Sequence, residues 1–233
     1  MGYKKPLLVE LFVEVDLAAP LTGSRILDLA NVLRGLGLSD VELSGHLSAV
    51  AAFPGATLPF QARLRCWSQD RSRLVQLSHD QIVVNHVGAY LGWSRFLGLF
   101  EQVLGAAKTS AELVPSALAL NAIDRFESVN PAFTLGRYFR CDGTWIPRGY
   151  QDCAETCDIS IGRGLYPQDP FNRQINLQVR RMGAHTTVQL TTVFKQRLTD
   201  KSIEETLGTL HDESNRLFEE LITDETRKQM GDA

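Results

Sequence analysis

The sequence predicts an α+β protein made of two tandem β-α-β4-α halves, residues 1–112 and 113–233, which together form a curved antiparallel sheet backed by helices. Three observations predict it. Apolar and polar residues alternate with a period of two through most of the chain, as half-buried strands require. Stretches near residues 24–36, 92–107 and 201–230 switch to helical spacing. The order strand, helix, four strands, helix runs once before about residue 112, and its outline returns afterwards without any residue-level repeat.

Each element has its own reason. In residues 7–16, Leu7, Leu11, Val13 and Val15 alternate with Glu10, Glu14 and Asp16, giving one apolar and one acidic face. Thr22 or Ser24 can cap a helix in which Ile26, Leu29, Ala30 and Leu33 share a stripe, and Gly35 and Gly37 end it. Residues 41–53 alternate again before the Pro54-Gly55 turn. Strands follow at residues 60–67, 73–78 and 81–86, joined by polar turns at Gln69-Asp70 and His79-Asp80. Trp93, Phe96, Leu97, Phe100, Val103, Leu104 and Ala107 make one apolar stripe on a helix over residues 92–107. In the second half, residues 117–127 form a strand and residues 131–139 a short helix. Four strands are expected at residues 143–147, 153–163, 171–181 and 186–197. A single long helix, residues 201–230, closes the chain, with Ser202 and Glu205 spaced as a capping box and Gly231 placed to stop it. Its stripe of Ile203, Leu207, Leu210, Ser214, Leu217 and Leu221, widened by Phe218 and Ile222, suits packing on a sheet better than a coiled-coil seam.

Composition narrows the function classes. The 233 residues are 44% hydrophobic and 22% charged, which fits a globular chain and excludes disordered or collagen-like structure. The longest apolar runs, residues 47–54 and 113–120, fall short of the roughly 18 needed to span a bilayer. The opening residues lack the apolar core and cleavage site of a secretion signal, and four cysteines make no disulfide framework, so a reducing cytoplasm is expected. A net charge of −3 argues against a generally basic nucleic-acid binder. The charge is uneven, however. Residues 137–197 carry 9 Lys and Arg against 5 Asp and Glu, a net of +4, and residues 199–233 carry 4 against 10, a net of −6.

No catalytic or metal signature emerges. Ser78-His79-Asp80 holds the residue types of a hydrolase triad, but neighbours in extended chain point to opposite faces. Gly105-Ala-Ala-Lys108-Thr109 lacks the glycine that a phosphate loop needs beside its lysine. Cys153 and Cys157 on one strand would stand about 13 Å apart, too far to share a zinc ion. Glu10 and Glu14 have the same separation, wider than a glycosidase pair. His46, His79, His86, His185 and His211 show no ligand spacing. No cofactor, metal or catalytic residue is therefore expected.

The most informative stretch is residues 172–181, whose even positions are Asn172, Gln174, Asn176, Gln178 and Arg180. One whole strand face is built of hydrogen-bonding groups. The following strand puts Gln189, Thr191, Lys195 and Arg197 on one face, with Val188, Leu190 and Phe194 on the other. If the strands are neighbours, the two rows make one polar platform able to meet a protein, or to contact nucleic-acid phosphates and base edges. The simpler alternative is an antiparallel sheet that leaves one face to water. Arg63, Arg65 and Trp67 repeat the basic and aromatic theme weakly in the first half.

Several short stretches resemble an uncharacterised family of sporadically distributed bacterial proteins. They are Pro6-Leu-Leu-Val-Glu10, Val75-Gln-Leu-Ser-His-Asp80, Val83-Val-Asn85, Tyr90-Leu-Gly-Trp93, and the closing Leu210-His211, Phe218 and Ile222-Thr223. The resemblance implies a standalone α+β protein from mobile or antiviral-defence genes. Where such proteins open their second half with Arg-Tyr-Ile-Asn, this chain has Asn121-Ala-Ile-Asp124. The doubled element order also resembles TATA-box-binding-protein-like folds, in architecture alone.

The expected function is a non-catalytic binding or scaffolding protein. Its site residues are Gln174, Asn176, Gln178, Arg180, Gln189, Thr191, Lys195 and Arg197, engaging another protein or a second copy of the chain. Two alternatives stand beside it: nucleic-acid binding by the same face, and an enzyme that uses Asp124, Arg125, Glu10 and His211 in a cleft between the halves. A third reading is a regulatory or antitoxin-like partner within a defence operon that binds and restrains a toxic neighbour.

Overall fold

The structure, a computed structural model, describes residues 7–44, 63–128, 133–143, 145–150, 156–163, 171–199 and 201–231. Nine strands form one antiparallel sheet in the order β2-β3-β4-β5-β1-β6-β9-β8-β7, and five helices among the described residues pack against it, so the fold is α+β as expected. The chain divides into two compact units, Phe12–Leu118 and Met1–Leu11 with Ala119–Ala233.

In the unit Phe12–Leu118, the strand β1 (Leu8–Leu17) enters with Val13 and Val15 buried and Glu14 and Asp16 half-exposed, the alternation of a strand with one face in a core. The helix α1 (Gly23–Gly35) starts at Thr22, whose hydroxyl accepts the Arg25 N–H at 3.3 Å, and buries Ile26, Leu29, Ala30 and Leu33. β2 (Asp40–Ser44), β3 (Arg63–Trp67), β4 (Arg73–Leu77) and β5 (Gln81–Val87) follow as antiparallel neighbours. Residues 45–53 of the longer expected strand, and 60–62 of the next, lie outside the described residues. The β3–β4 turn is fixed by Asp70, whose carboxylate accepts from the Ser68 hydroxyl (2.6 Å) and from the Ser72 hydroxyl (2.8 Å) and N–H (3.1 Å). These bonds favour the charged form and hold its pKa down to about 2. α2 (Trp93–Ala111) closes the unit on a buried stripe that includes Phe96, Phe100, Val103 and Ala107.

In the other unit, β6 (Pro115–Ser128) leads to α3 (Leu135–Tyr138), a single 3-10 turn (Arg148–Tyr150), β7 (Cys157–Arg163), β8 (Asn172–Met182), β9 (His185–Arg197), α4 (Ile203–Leu221) and α5 (Asp224–Met230). The expected strand at 143–147 is not one. Its residues 143, 145 and 146 are bends: Gly143 has φ +92 and its N–H donates to the Ile146 carbonyl at 3.1 Å. Cys153 lies outside the described residues, and β7 begins at Cys157. The capping box is present as read: the Ser202 hydroxyl accepts from Glu205 N–H at 3.1 Å, and the Glu205 carboxylate accepts from Ser202 N–H at 3.0 Å.

The long terminal helix divides in two, and tertiary contacts explain the break. Ile222 leaves the helix to bridge Phe139, the Leu221 carbonyl takes the Arg140 N–H (2.7 Å), and the Thr223 N–H goes to Tyr138 (3.0 Å). The Thr223 hydroxyl then caps α5 and donates to the Arg137 carbonyl at 2.7 Å. The buried Thr226 hydroxyl donates to the Tyr138 carbonyl at 2.6 Å. The chain exchanges a helical bond for ties to α3. Gly231, at φ +73, ends α5 as expected.

Candidate polar interface on the terminal sheet face

β8 pairs antiparallel over its whole length with residues 185–195 of β9, joined by a two-residue turn at Gly183-Ala184. Their register sets Asn172 against Lys195, Asn176 against Thr191, Gln178 against Gln189 and Arg180 against Thr187. Because side chains alternate faces, this register places Gln174, Asn176, Gln178, Arg180, Gln189, Thr191, Lys195 and Arg197 on one side of the sheet. Gln174, Arg180 and Arg197 are exposed, and the other five are half-buried. None of the eight is fully buried.

The opposite face explains why the row stays outward. Ile175, Leu177, Val179, Val188, Leu190 and Phe194 are all at most 1% exposed. Thr192, turned the same way, lies 3.4 Å from the Ser214 hydroxyl of α4. Flipping the strands would bury amides and guanidinium groups and expose about 1.5–3 kcal/mol of hydrophobic burial per large side chain, so the register is strongly specified. Arg173 belongs to this inner side. Its guanidinium lies over Phe171 (5.4 Å) and Phe194 (5.7 Å) and pairs with Glu213 at 3.4 Å.

β7 extends the platform with residues that the sequence reading omitted. Ser160 stands opposite Asn176 and Asp158 opposite Gln178. The Ser160 hydroxyl donates to Asn176 Oδ1 at 2.6 Å, and Gln174 Nε2 donates to the same oxygen at 3.2 Å. Arg180 pairs with Asp158 at 3.4 Å, with both side chains more than half exposed, a pair of small energetic value. By contrast, Gln178 and Gln189 face each other with no side-chain hydrogen bond among the described residues. Val193, opposite Gln174, interrupts the row, and Met182 at its hairpin end is 81% exposed. Alternation alone could have found Val193 and Met182, whereas Asp158 and Ser160 needed the strand register.

The described face carries Arg180, Lys195 and Arg197 against Asp158, a balance of +2. Its charges are separated: Lys195 lies eight residues along β9 from the partner of Arg180, about 26 Å at the rise of a strand. Phe, Tyr and Trp are absent from this face among the described residues, and its one aromatic ring there is the exposed His185 imidazole at the hairpin end, opposite Met182. Asn, Gln, Thr and Ser offer donors and acceptors together, and none of them is a general acid or base near neutral pH.

The enzyme alternative fares differently. Asp124 and Arg125 are consecutive on β6, so they face opposite ways, one buried and the other exposed. They do not converge. Glu10 is half-buried on β1. His211, half-buried on α4, lies 3.1 Å from the Asn215 amide and 3.6 Å from Asp212, and burial lowers its pKa. Among the described residues no group of three or more His, Cys, Asp or Glu is placed to hold a metal ion. Cys66 is wholly buried, which pushes its thiol up to about 11 and makes it a poor nucleophile. No described helix is long and apolar enough to cross a membrane.

No family model matches the chain, and no curated protein matches it. Among solved structures, the substrate-free duplicated taurocyamine kinase from Schistosoma mansoni is similar at 10% identity and a TM-score of 0.33, over 78% of this chain and 29% of that one. The chain spans less than a third of that protein's length, and a likeness this weak carries no argument about function.

Proposed function

We propose that this chain is a non-catalytic binding protein of the cytoplasm that presents the outward face of β7, β8 and β9 to another protein. The observation that supports this most is the Gln178–Gln189 pair: two amides side by side on an open face, with hydrogen-bonding groups that no described side chain uses. Amides and hydroxyls have low desolvation cost when a partner supplies matching groups, and a strong geometric demand that gives specificity. The excess of Arg and Lys favours a partner surface bearing carboxylates. Nucleic acid is the weaker reading, because the described face offers bases a single ring, His185 at the hairpin end, and its cations sit at its two ends.

The test is a double charge reversal, Arg180→Glu with Lys195→Glu. Both residues lie on the outward face, so the melting temperature should stay within about 2–4 °C of the parent, as surface substitutions do. Used as bait in extract of the natural host, the parent chain is expected to retain a partner that the variant loses, read by quantitative mass spectrometry. Equal recovery by both baits would refute the assignment. A recovered nucleic acid whose affinity falls steeply with salt would replace the protein reading with the nucleic-acid one.

A further inference from the structure

We infer that Asp124 is a pH-sensitive element of the unit built on β6: its carboxyl is buried in the neutral form, and charging it loosens the aromatic cluster through which β6 holds α3. Asp124 is 9% exposed, and among the described residues nothing donates a hydrogen bond to it and no cation pairs with it. A buried carboxylate without a partner is among the costliest groups a core can contain. Its neighbours on the same strand face, two residues away on either side, are Ala122 and Phe126, 7% and 4% exposed. The Phe126 ring lies 4.4 Å from that of Tyr138, which stacks on Phe133 at 5.1 Å. The Tyr138 carbonyl in turn accepts the Thr226 hydroxyl, so α3 holds α5. A charge at Asp124 therefore draws water toward a chain of contacts that runs from β6 through α3 to α5.

The ionisable groups on the elements around it are Glu10, Glu14 and Asp16 on β1, Arg125 and Glu127 on β6 itself, His185, Lys195 and Arg197 on β9, Arg137 and Tyr138 on α3, and Glu204, Glu205, His211, Asp212, Glu213, Arg216, Glu219 and Glu220 on α4. None of them offsets its burial, which alone pushes the carboxyl up to about 7. The native chain thus keeps a proton that the unfolded chain releases near 3.8. Unfolding between those values expels a proton, so stability declines as pH rises through that window and is level above it.

Urea unfolding of the full chain and of Asp124→Asn at pH 5, 6, 7 and 8 tests the inference. Relative to the variant, the unfolding constant of the parent is expected to rise about tenfold per pH unit up to about pH 7 and then to stay constant. Taking the difference removes His86 and His211, whose pKa values burial lowers and whose effects run the other way at acid pH. A difference that ignores pH would overturn the inference. Should the variant not fold, carboxyl-carbon NMR titration of the parent decides: a midpoint near 7 supports the assignment, and one near 3.8 overturns it.

Discussion

Truncating Phe194 to alanine is expected to lower the unfolding free energy by about 3–5 kcal/mol, the cost of removing a large ring from a packed core. Phe194 is 0% exposed, its ring meets that of Phe171 edge-on at 6.5 Å, and the Arg173 guanidinium lies over it. The truncation would leave a cavity and deprive a half-buried cation of part of its aromatic seat. Its chain neighbour Lys195 points the other way, and Lys195→Ala should change stability by no more than about 0.5 kcal/mol. Urea midpoints for the two variants, taken at unchanged slope, measure the contrast between the faces of β9. Similar losses from both would mean that the outward face is covered.

The larger contrast lies on β8. Ile175→Asp places a carboxylate at a position 1% exposed, and an uncompensated buried charge costs on the order of 3–5 kcal/mol or more, enough to unfold many domains. One residue on, Asn176→Asp keeps an oxygen able to accept from Ser160 and Gln174 on the outward face, and it should be nearly neutral. Both variants introduce the same carboxylate one position apart, so thermal melts of the two report which face of the strand is buried. A folded Ile175→Asp together with an unfolded Asn176→Asp would reverse the faces.

What the sequence made legible follows from short-range physics. Alternation in β8 and β9 needs only the period of a strand and two chemically opposite sets of side chains, Asn-Gln-Arg against Ile-Leu-Val. The Thr22 cap and the Ser202–Glu205 box depend on residues three apart, and both form as read. Features that depend on distant partners were not legible. The interruption at Ile222-Thr223 is caused by carbonyl and amide groups of residues 137–140, more than 80 positions away. Nothing in the local pattern of an amphipathic helix announces it. The acidic character of the last two helices likewise reads differently in three dimensions. Arg216 bridges Glu213 and Glu220, Arg227 bridges Glu219 and Asp224, and Arg137 reaches Glu225. Arg216 and Arg227 are already counted in the −6, so their pairs spread the acidic charge over a mutually paired helix surface, and only Arg137, with Arg173 at Glu213, offsets it from outside the segment.

Asp124 shows the same limit from the other direction. In the sequence it is a polar residue near the middle of an alternating strand, indistinguishable from Glu10 or Glu14. Its burial without a partner follows only from the packing around β6. Residues of the platform, in contrast, were found because an entire strand face carries them, and a repeated signal survives the loss of any one position.

Site-specific photo-cross-linking tests the binding face most directly. A benzophenone side chain introduced at Gln178 or Gln189, on the open sheet face, or at Asn215, exposed on α4, is irradiated in the natural host and the adducts are resolved by mass. The account predicts a discrete adduct from positions 178 and 189 and none from 215. Adducts from 215 alone, with 178 and 189 silent, would contradict it.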